Sequence, residues 1–99
     1  MSSVKPVSKE AFAREVLEST VPVLVDFYAD WCGPCRMLAP TLERLSAEFA
    51  GRAKIVKVNV DNEPELANQF QVSSIPTLAF FAGGDLVGQT ACLVPEAGL

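Results

Sequence analysis

The sequence of 99 residues contains no histidine, one tryptophan, one tyrosine and three cysteines. A structural zinc ion takes four ligands, usually cysteine and histidine, so one chain with a single close cysteine pair cannot complete such a site. A two-chain zinc site that uses Cys32 and Cys35 from each copy stays open. A c-type haem needs a histidine directly after the second cysteine, and Arg36 stands there. We therefore predict no bound metal.

The sequence also lacks an apolar run near the roughly 20 residues that a membrane-spanning helix needs. Its net charge of −4 argues against nucleic acid or an anionic membrane as the main partner. Residues 1–6 carry no apolar signal core, so we expect a cytoplasmic protein. Apolar residues make up 49% of the chain, enough for one core, and the length predicts a single domain over residues 1–99.

The most informative stretch is Trp-Cys-Gly-Pro-Cys at residues 31–35. The preceding residues 21–29 form a short apolar run rich in β-branched and aromatic side chains, which predicts a buried strand. The following segment has apolar residues at spacings of four, three and four, which predicts one face of a helix. These are Leu38, Leu42, Leu45 and Phe49, and Gly51 supplies a left-handed cap.

Two cysteines at the start of a helix have a chemical meaning. The unpaired N–H groups and the positive end of the helix dipole favour a thiolate over a thiol. The thiolate is the nucleophile, so we expect Cys32 to be reactive and Cys35, one turn further in, to be less exposed. Two intervening residues bring the sulfurs within bonding reach, so that the pair can open and close a disulfide.

The rest of the chain predicts alternating elements. We expect an edge strand at residues 4–7, a helix capped by Ser8, and a strand at residues 53–60. A capping box at residues 62–65 then predicts another helix, and a turn at residues 82–85 joins two final strands. This βαβαβαββ order predicts an α/β fold with a central mixed sheet and helices on both faces. Parallel strands are expected throughout except for an antiparallel edge from the final hairpin.

The chain resembles the thioredoxin family in several motifs together. These are the Trp-Cys-Gly-Pro-Cys sequence, an aspartate in the preceding strand, Pro40 in the following helix, Lys57, and Ile-Pro-Thr at residues 75–77. The resemblance implies the thioredoxin fold and a thiol–disulfide oxidoreductase. It further implies that Cys32 attacks a client disulfide and that Cys35 resolves the mixed disulfide. Gly33 and Pro34 between the cysteines are typical of the reductants of this family, whereas oxidases and isomerases usually carry histidine there.

Asp26 lies within an apolar strand, where desolvation should raise the pKa of its carboxyl group. The resemblance implies that this aspartate lies behind the cysteines and helps to move the proton of Cys35. A simple salt bridge between Asp26 and Lys57 is the structural alternative, and Lys57 would in either case tune Asp26.

The resemblance also implies a cis peptide bond before Pro76, facing the cysteines, so that the backbone of Ile75 can pair with an extended client. Trp31, Val60, Ile75 and Pro76 would form an apolar surface for clients, with Ser74 in the same groove. An ordinary trans proline that opens a strand is the alternative for Pro76.

Two features depart from the family pattern. The family ends in a helix that packs on the sheet, whereas residues 94–99 suffice for one turn at most, so we expect the final helix to be missing or reduced to a turn. An uncovered sheet face would lead to reduced stability or to self-association. Cys92 replaces the usual glycine beside the cysteine pair, where it would border the client groove. It is either a thiol with a redox role or a small side chain that only packs.

The function that these residues predict is reduction of protein disulfides through the Cys32–Cys35 disulfide, with no separate cofactor. The expected partners are disulfide-containing client proteins and thioredoxin reductase, a flavin enzyme. Two alternatives follow from the shortened end: a binding module with weak turnover, and an oligomeric scaffold.

Overall fold

The computed structural model describes residues 4–91, which form a five-stranded sheet with helices packed against it. The first helix, α1, continues as a π-helical segment over Ala13–Leu17. In chain order the elements are β1 (Lys5–Pro6), α1 (Lys9–Phe12), β2 (Val23–Tyr28), α2 (Gly33–Glu48), β3 (Lys54–Asn59), α3 (Pro64–Gln69), β4 (Thr77–Ala82) and β5 (Asp85–Ala91). The predicted order of elements is confirmed over these residues.

The strands lie in the order β1-β3-β2-β4-β5, so that β2, which leads into the cysteine pair, is central. β1 and β2 both run parallel to β3, whereas β4 runs antiparallel to β2 and β5 antiparallel to β4. The prediction that only the final hairpin is antiparallel is therefore wrong. α3 has six residues and spans about 9 Å, too little to carry the chain back along the roughly 20 Å length of a six-residue strand. β4 accordingly starts from the end of the sheet at which β3 stops.

Alternation along β2 divides the core between the two faces of the sheet. Val23, Val25 and Phe27 point to one face, where they pack with side chains from α1, the π-helical segment and α3. Three phenylalanines, Phe12, Phe70 and Phe81, contact one another in this larger core. Leu24 points to the opposite face, where it packs with Leu38, Leu42 and Leu45 of α2. Asp26 shares this second face and so points toward α2.

Two of the predicted helix caps are confirmed and one is wrong. The Ser8 hydroxyl accepts a hydrogen bond from the Ala11 amide at 3.3 Å, and Gly51 adopts a φ of +85° just past α2. The capping box at residues 62–65 does not form, because α3 begins at Pro64 and its N-cap, Glu63, makes no side-chain cap. The Asn59 side chain instead accepts hydrogen bonds from the backbone amides of Asp61 and Asn62.

Gly84 in the β4–β5 turn is required by a close backbone approach. Its φ is +87°, and a Cβ atom there would lie 2.9 Å from the Leu17 carbonyl oxygen. We expect Gly84→Ala to lower the free energy of unfolding by about 3 kcal/mol, combining left-handed strain with a clash against rigid backbone. Gly83→Ala is the matched control, since Gly83 has a φ of +61° but open space around its Cβ, and should cost about 1 kcal/mol. Urea denaturation measures both, and equal losses would show that the Leu17 contact is unimportant.

The α2 face of the sheet carries an apolar groove of about 370 Å³ beside β4 and β5. Leu24, Leu45, Phe49, Phe80 and Val87 are among its lining residues. Cys92 and residues 94–99, on which the predictions about the final helix depend, lie outside the described residues. No helix among residues 4–91 has the length and apolar character to cross a membrane.

Candidate active site

The two cysteines lie at the junction between β2 and α2. Cys32 is the N-cap of α2, and its Sγ accepts a hydrogen bond from the Cys35 amide at 3.2 Å. Gly33 and Pro34 occupy the first two helical positions, where the missing N–H of proline breaks no helical hydrogen bond. Helix geometry thus holds the second sulfur next to the first, with a Cα–Cα distance of 5.3 Å.

Cys32 and Cys35 are joined in a disulfide bond. Both residues are 4% exposed, so the prediction that Cys35 is the less exposed of the two is wrong. The sulfurs differ instead in their hydrogen bonding, because the N-cap position gives the backbone N–H bond to Cys32. Such a bond stabilises a thiolate in the reduced protein, and this distinguishes the two sulfurs chemically.

The Ile75–Pro76 segment lies against the disulfide. The peptide bond between these residues is cis, and the Ile75 carbonyl oxygen is 3.9 Å from Cys32 Sγ. The Thr77 hydroxyl donates a hydrogen bond to the Ser74 carbonyl oxygen and closes the turn. Pro76 is among the fully buried side chains, so its predicted place in an exposed apolar surface is wrong: its ring packs inward and leaves Ile75 at the surface.

A shallow recess of about 310 Å³ opens beside the disulfide. We call its lining the Trp31 recess; it consists of Trp31, Val60, Val72, Ser73, Ser74 and Ile75. Trp31 is 67% exposed, and its indole N–H donates a hydrogen bond to Asp61 Oδ2 at 2.8 Å. This bond orients a large apolar ring that stays mostly exposed to solvent.

Asp26 lies behind the cysteines in a second cavity of about 210 Å³, which it shares with Cys35 and Lys57. The residue is 4% exposed, and its Oδ1 atom has no hydrogen-bond donor among residues 4–91. Burial raises the pKa of the Asp26 carboxyl group from 3.8 to about 6, against a smaller lowering by the Lys57 charge. The carboxyl group therefore keeps its proton to a higher pH than an exposed aspartate does.

Lys57 is the direct neighbour of Asp26 across the β2–β3 pairing. The two side chains nevertheless form no ion pair, and the Lys57 ammonium lies over the Tyr28 ring, 5.3 Å from its centroid. The alternative of a simple Asp26–Lys57 salt bridge is therefore wrong. The charge of Lys57 lowers the pKa of Asp26, and the prediction that Lys57 tunes Asp26 in the reaction stays a prediction.

The metal-binding alternative finds no support in the described part of the chain. Residues 4–91 contain no group of three or more histidine, cysteine, aspartate or glutamate side chains that could hold an ion. Cys32 and Cys35, which the two-chain zinc site requires, are bonded to each other.

Three residues of the site were not singled out from the sequence. Asp61 binds the Trp31 indole, Tyr28 contacts Lys57, and Arg36 donates a hydrogen bond to the Asp30 carbonyl oxygen at 2.7 Å. Asp61 could have been found, because it follows the carboxyl end of β3 and parallel strands end at one edge of the sheet. The other two depend on side-chain conformations that sequence spacing does not fix.

Comparison with known proteins gives an independent result. The thioredoxin family model matches residues 3–99. Thioredoxin 1 of a Nostoc species is 48% identical over 99 residues, which is all of this chain and 92% of the relative. The thioredoxin of a Synechocystis species is 46% identical with the same coverage. Thioredoxin 1 of Chlorobaculum tepidum is 53% identical over 77 residues, 78% of this chain and 76% of the relative.

The fold, the helix-capping disulfide and the similarity over the full chain lead to one assignment. Two cysteines joined at a helix start support the exchange of a disulfide between this chain and another. This chain therefore belongs to the thioredoxin family of thiol–disulfide oxidoreductases.

Proposed function

We propose that the chain reduces protein disulfides, with Cys32 as the nucleophile and Cys35 as the resolving cysteine. The Cys32 thiolate attacks one client sulfur, forms a mixed disulfide and releases the other client sulfur, which takes up a proton. Cys35 then loses its proton and attacks Cys32 Sγ, which frees the second client sulfur as a thiol. The client gains two electrons and two protons, and the chain keeps the Cys32–Cys35 disulfide.

The hydrogen bond from the Cys35 amide to Cys32 Sγ is the observation that carries this assignment of roles. Both cysteines are equally buried, so exposure does not distinguish them. The amide and the positive end of the 16-residue helix α2 act on Cys32, the N-cap, more than on any other sulfur among residues 4–91.

Asp26 is proposed to accept the Cys35 proton, and Lys57 to adjust how readily it does so. Cys35 and Asp26 line the same cavity, so a proton can pass between them directly or through one water. The raised pKa of Asp26 places its ionisation near neutral pH, where it can both take up and release that proton.

Clients are proposed to bind along the edge formed by the active-site turn at residues 31–35 and the Trp31 recess. The exposed ring of Trp31 and the side chains of Val60 and Ile75 give apolar contact. Gly33, Pro34 and Ser74 border the same edge, and the buried Pro76 shapes the Ile75 backbone that pairs with an extended client. A contribution from Cys92 to this groove stays a prediction, because Cys92 lies outside the described residues.

The proposed partners are disulfide-containing proteins and thioredoxin reductase, which would return the disulfide to two thiols. The disulfide itself is the redox group, so no separate cofactor is proposed. We propose a single domain over residues 1–99, in the cytoplasm, with no nucleic acid or membrane as partner. Self-association through the α2 face of the sheet also stays a prediction, for which the apolar groove offers a surface.

The Cys35→Ser variant tests the proposed division of roles. Without a resolving sulfur the mixed disulfide should persist, so incubation with oxidised insulin should give a covalent adduct that dithiothreitol releases. Peptide mapping should place the adduct on Cys32. Cys32→Ser is the matched control and should form little adduct. Equal trapping by the two variants, or trapping only by Cys32→Ser, would contradict the assignment.

A further inference from the structure

The position of the Lys57 ammonium is the unexplained feature of the cavity behind the cysteines. Asp26 and Tyr28 are two residues apart on β2 and so lie on the same face of the sheet. Lys57 pairs directly with Asp26 in the parallel β2–β3 ladder. The ammonium could therefore reach either neighbour, and it lies 5.3 Å from the centroid of the Tyr28 ring without forming an ion pair with Asp26.

The Asp26 carboxyl group does not pair with another side chain in the described part of the chain in place of Lys57. Its Oδ1 atom is buried and accepts no hydrogen bond from residues 4–91. The side chains of Asp26 and Lys57 both line a cavity of about 210 Å³, together with Tyr28 and Cys35, among others. Space is thus available for the ammonium to move closer to the carboxyl group.

The other charged groups around Asp26 do not replace Lys57. Arg36 and Asp30 line the same cavity from the start of α2, and the Arg36 guanidinium donates to the Asp30 carbonyl oxygen. From β4 the residue paired with Asp26 is Leu78, which is apolar. Lys57 is the cation whose charge acts on Asp26.

We propose that Tyr28 is a positioning residue, whose ring holds the Lys57 ammonium away from Asp26 and so favours the protonated carboxyl group. This inference rests on the proposed role of Asp26 as the proton acceptor for Cys35. An aromatic face attracts an ammonium ion, so the Lys57 ammonium would give up this attraction if it moved toward Asp26. The ring of Tyr28 thereby sets the pH at which Asp26 becomes able to accept the Cys35 proton.

The two positions of the Lys57 ammonium lead to different pH values for the ionisation of Asp26. With the ammonium on the ring, Asp26 keeps its proton to higher pH and cannot take the proton of Cys35 until it ionises. With the ammonium beside the carboxyl group, Asp26 ionises at lower pH, because an opposite charge within about 4–6 Å favours the charged form. Resolution of the mixed disulfide by Cys35 would then begin at lower pH.

The test is a titration of the Asp26 carboxyl carbon by ¹³C NMR in the full-length oxidised protein, where no client is needed. Tyr28→Phe keeps the ring and should titrate within about 0.2 pH units of the parent, whereas Tyr28→Leu should titrate lower by about one unit. Tyr28→Met, with a flexible apolar side chain, repeats the measurement should the leucine variant fold poorly.

A Lys57→Met background separates the proposed cause from a change in burial. If the ring acts by holding Lys57, Tyr28→Leu should not lower the Asp26 titration when Lys57 is absent. An equal lowering in both backgrounds would overturn the inference, because it would show that the ring only excludes water. An unchanged titration in Tyr28→Leu would overturn it as well.

The pH dependence of insulin reduction distinguishes this inference from the proposed function. If both hold, the acid side of the rate profile of Tyr28→Leu moves to lower pH together with the Asp26 titration. If the titration moves and the rate profile does not, Tyr28 positions Lys57 as inferred but Asp26 is not the proton acceptor for Cys35.

Discussion

Cys32→Ser is expected to lower the rate of insulin reduction to that of dithiothreitol alone, a loss on the order of a thousandfold or more for removal of a catalytic nucleophile. The hydroxyl of serine is not ionised at neutral pH, and the amide hydrogen bond that stabilises the Cys32 sulfur cannot compensate for this. Insulin turbidity with dithiothreitol as the electron source measures the loss.

Two further cysteine variants make this result specific. Cys35→Ser should also lose turnover but retain stoichiometric attack on the client, because only the resolving step is removed. One of the two alternatives from the sequence is that Cys92 only packs. If so, Cys92→Ser should retain turnover. Substantial turnover by Cys32→Ser would contradict the role of Cys32 as nucleophile.

The free energy of unfolding is expected to fall as pH rises through the titration of Asp26. Burial raises the pKa of Asp26 from 3.8 to about 6 in the folded chain. Between these values the folded chain holds a proton that the unfolded chain has released, so ionisation favours unfolding. The contribution of the protonated Asp26 carboxyl group to the free energy of unfolding is fully present below the lower value and is lost as pH rises past the upper one. The loss between about pH 4 and about pH 8 should be about 2 kcal/mol.

Asp26→Asn should remove this dependence, because an amide does not ionise. Between about pH 4 and about pH 8 the parent should therefore lose about 2 kcal/mol of its free energy of unfolding that the variant keeps. Comparing two pH values cancels the fixed cost of burying the amide. Asp85→Asn, at an exposed position, is the matched control and should follow the parent. Parallel curves for Asp26→Asn and the parent would show that the pKa of Asp26 is not raised in the folded chain.

The sequence was most informative where local chemistry decides the structure. The apolar, β-branched run before Asp26 favours a buried strand, Pro34 suits the first turn of a helix, and Gly51 can adopt the left-handed conformation just past α2. The structure has the predicted elements at all three places. The direction of β4 was not predictable from alternation, because it depends on the length of α3 relative to the strands. The capping box predicted at residues 62–65 does not form, because the Asn59 side chain accepts hydrogen bonds from the nearby amides and the helix begins at Pro64, one residue later than the pattern indicated.

The candidate site likewise has features that could be predicted from the sequence and features that could not. Cys32 and Cys35 could be placed at a helix start from the strand–turn–helix pattern, whereas the position of Asp26 behind them was implied by the family resemblance. The equal burial of the two sulfurs was not predictable, because the Ile75 turn covers Cys32 from a distant part of the chain. The position of the Lys57 ammonium was missed for another reason. Strand register fixes its neighbours but leaves its long, flexible side chain a choice between carboxylate and ring.

Substoichiometric alkylation of the fully reduced chain tests the central claim most directly. At neutral pH a limiting amount of iodoacetamide should modify Cys32 before Cys35 or Cys92, because thiolates react and the helix start stabilises the thiolate of Cys32. Peptide mapping by mass spectrometry should accordingly find most of the label on Cys32. Label appearing first on Cys35 or Cys92 would contradict the assignment of Cys32 as the attacking sulfur.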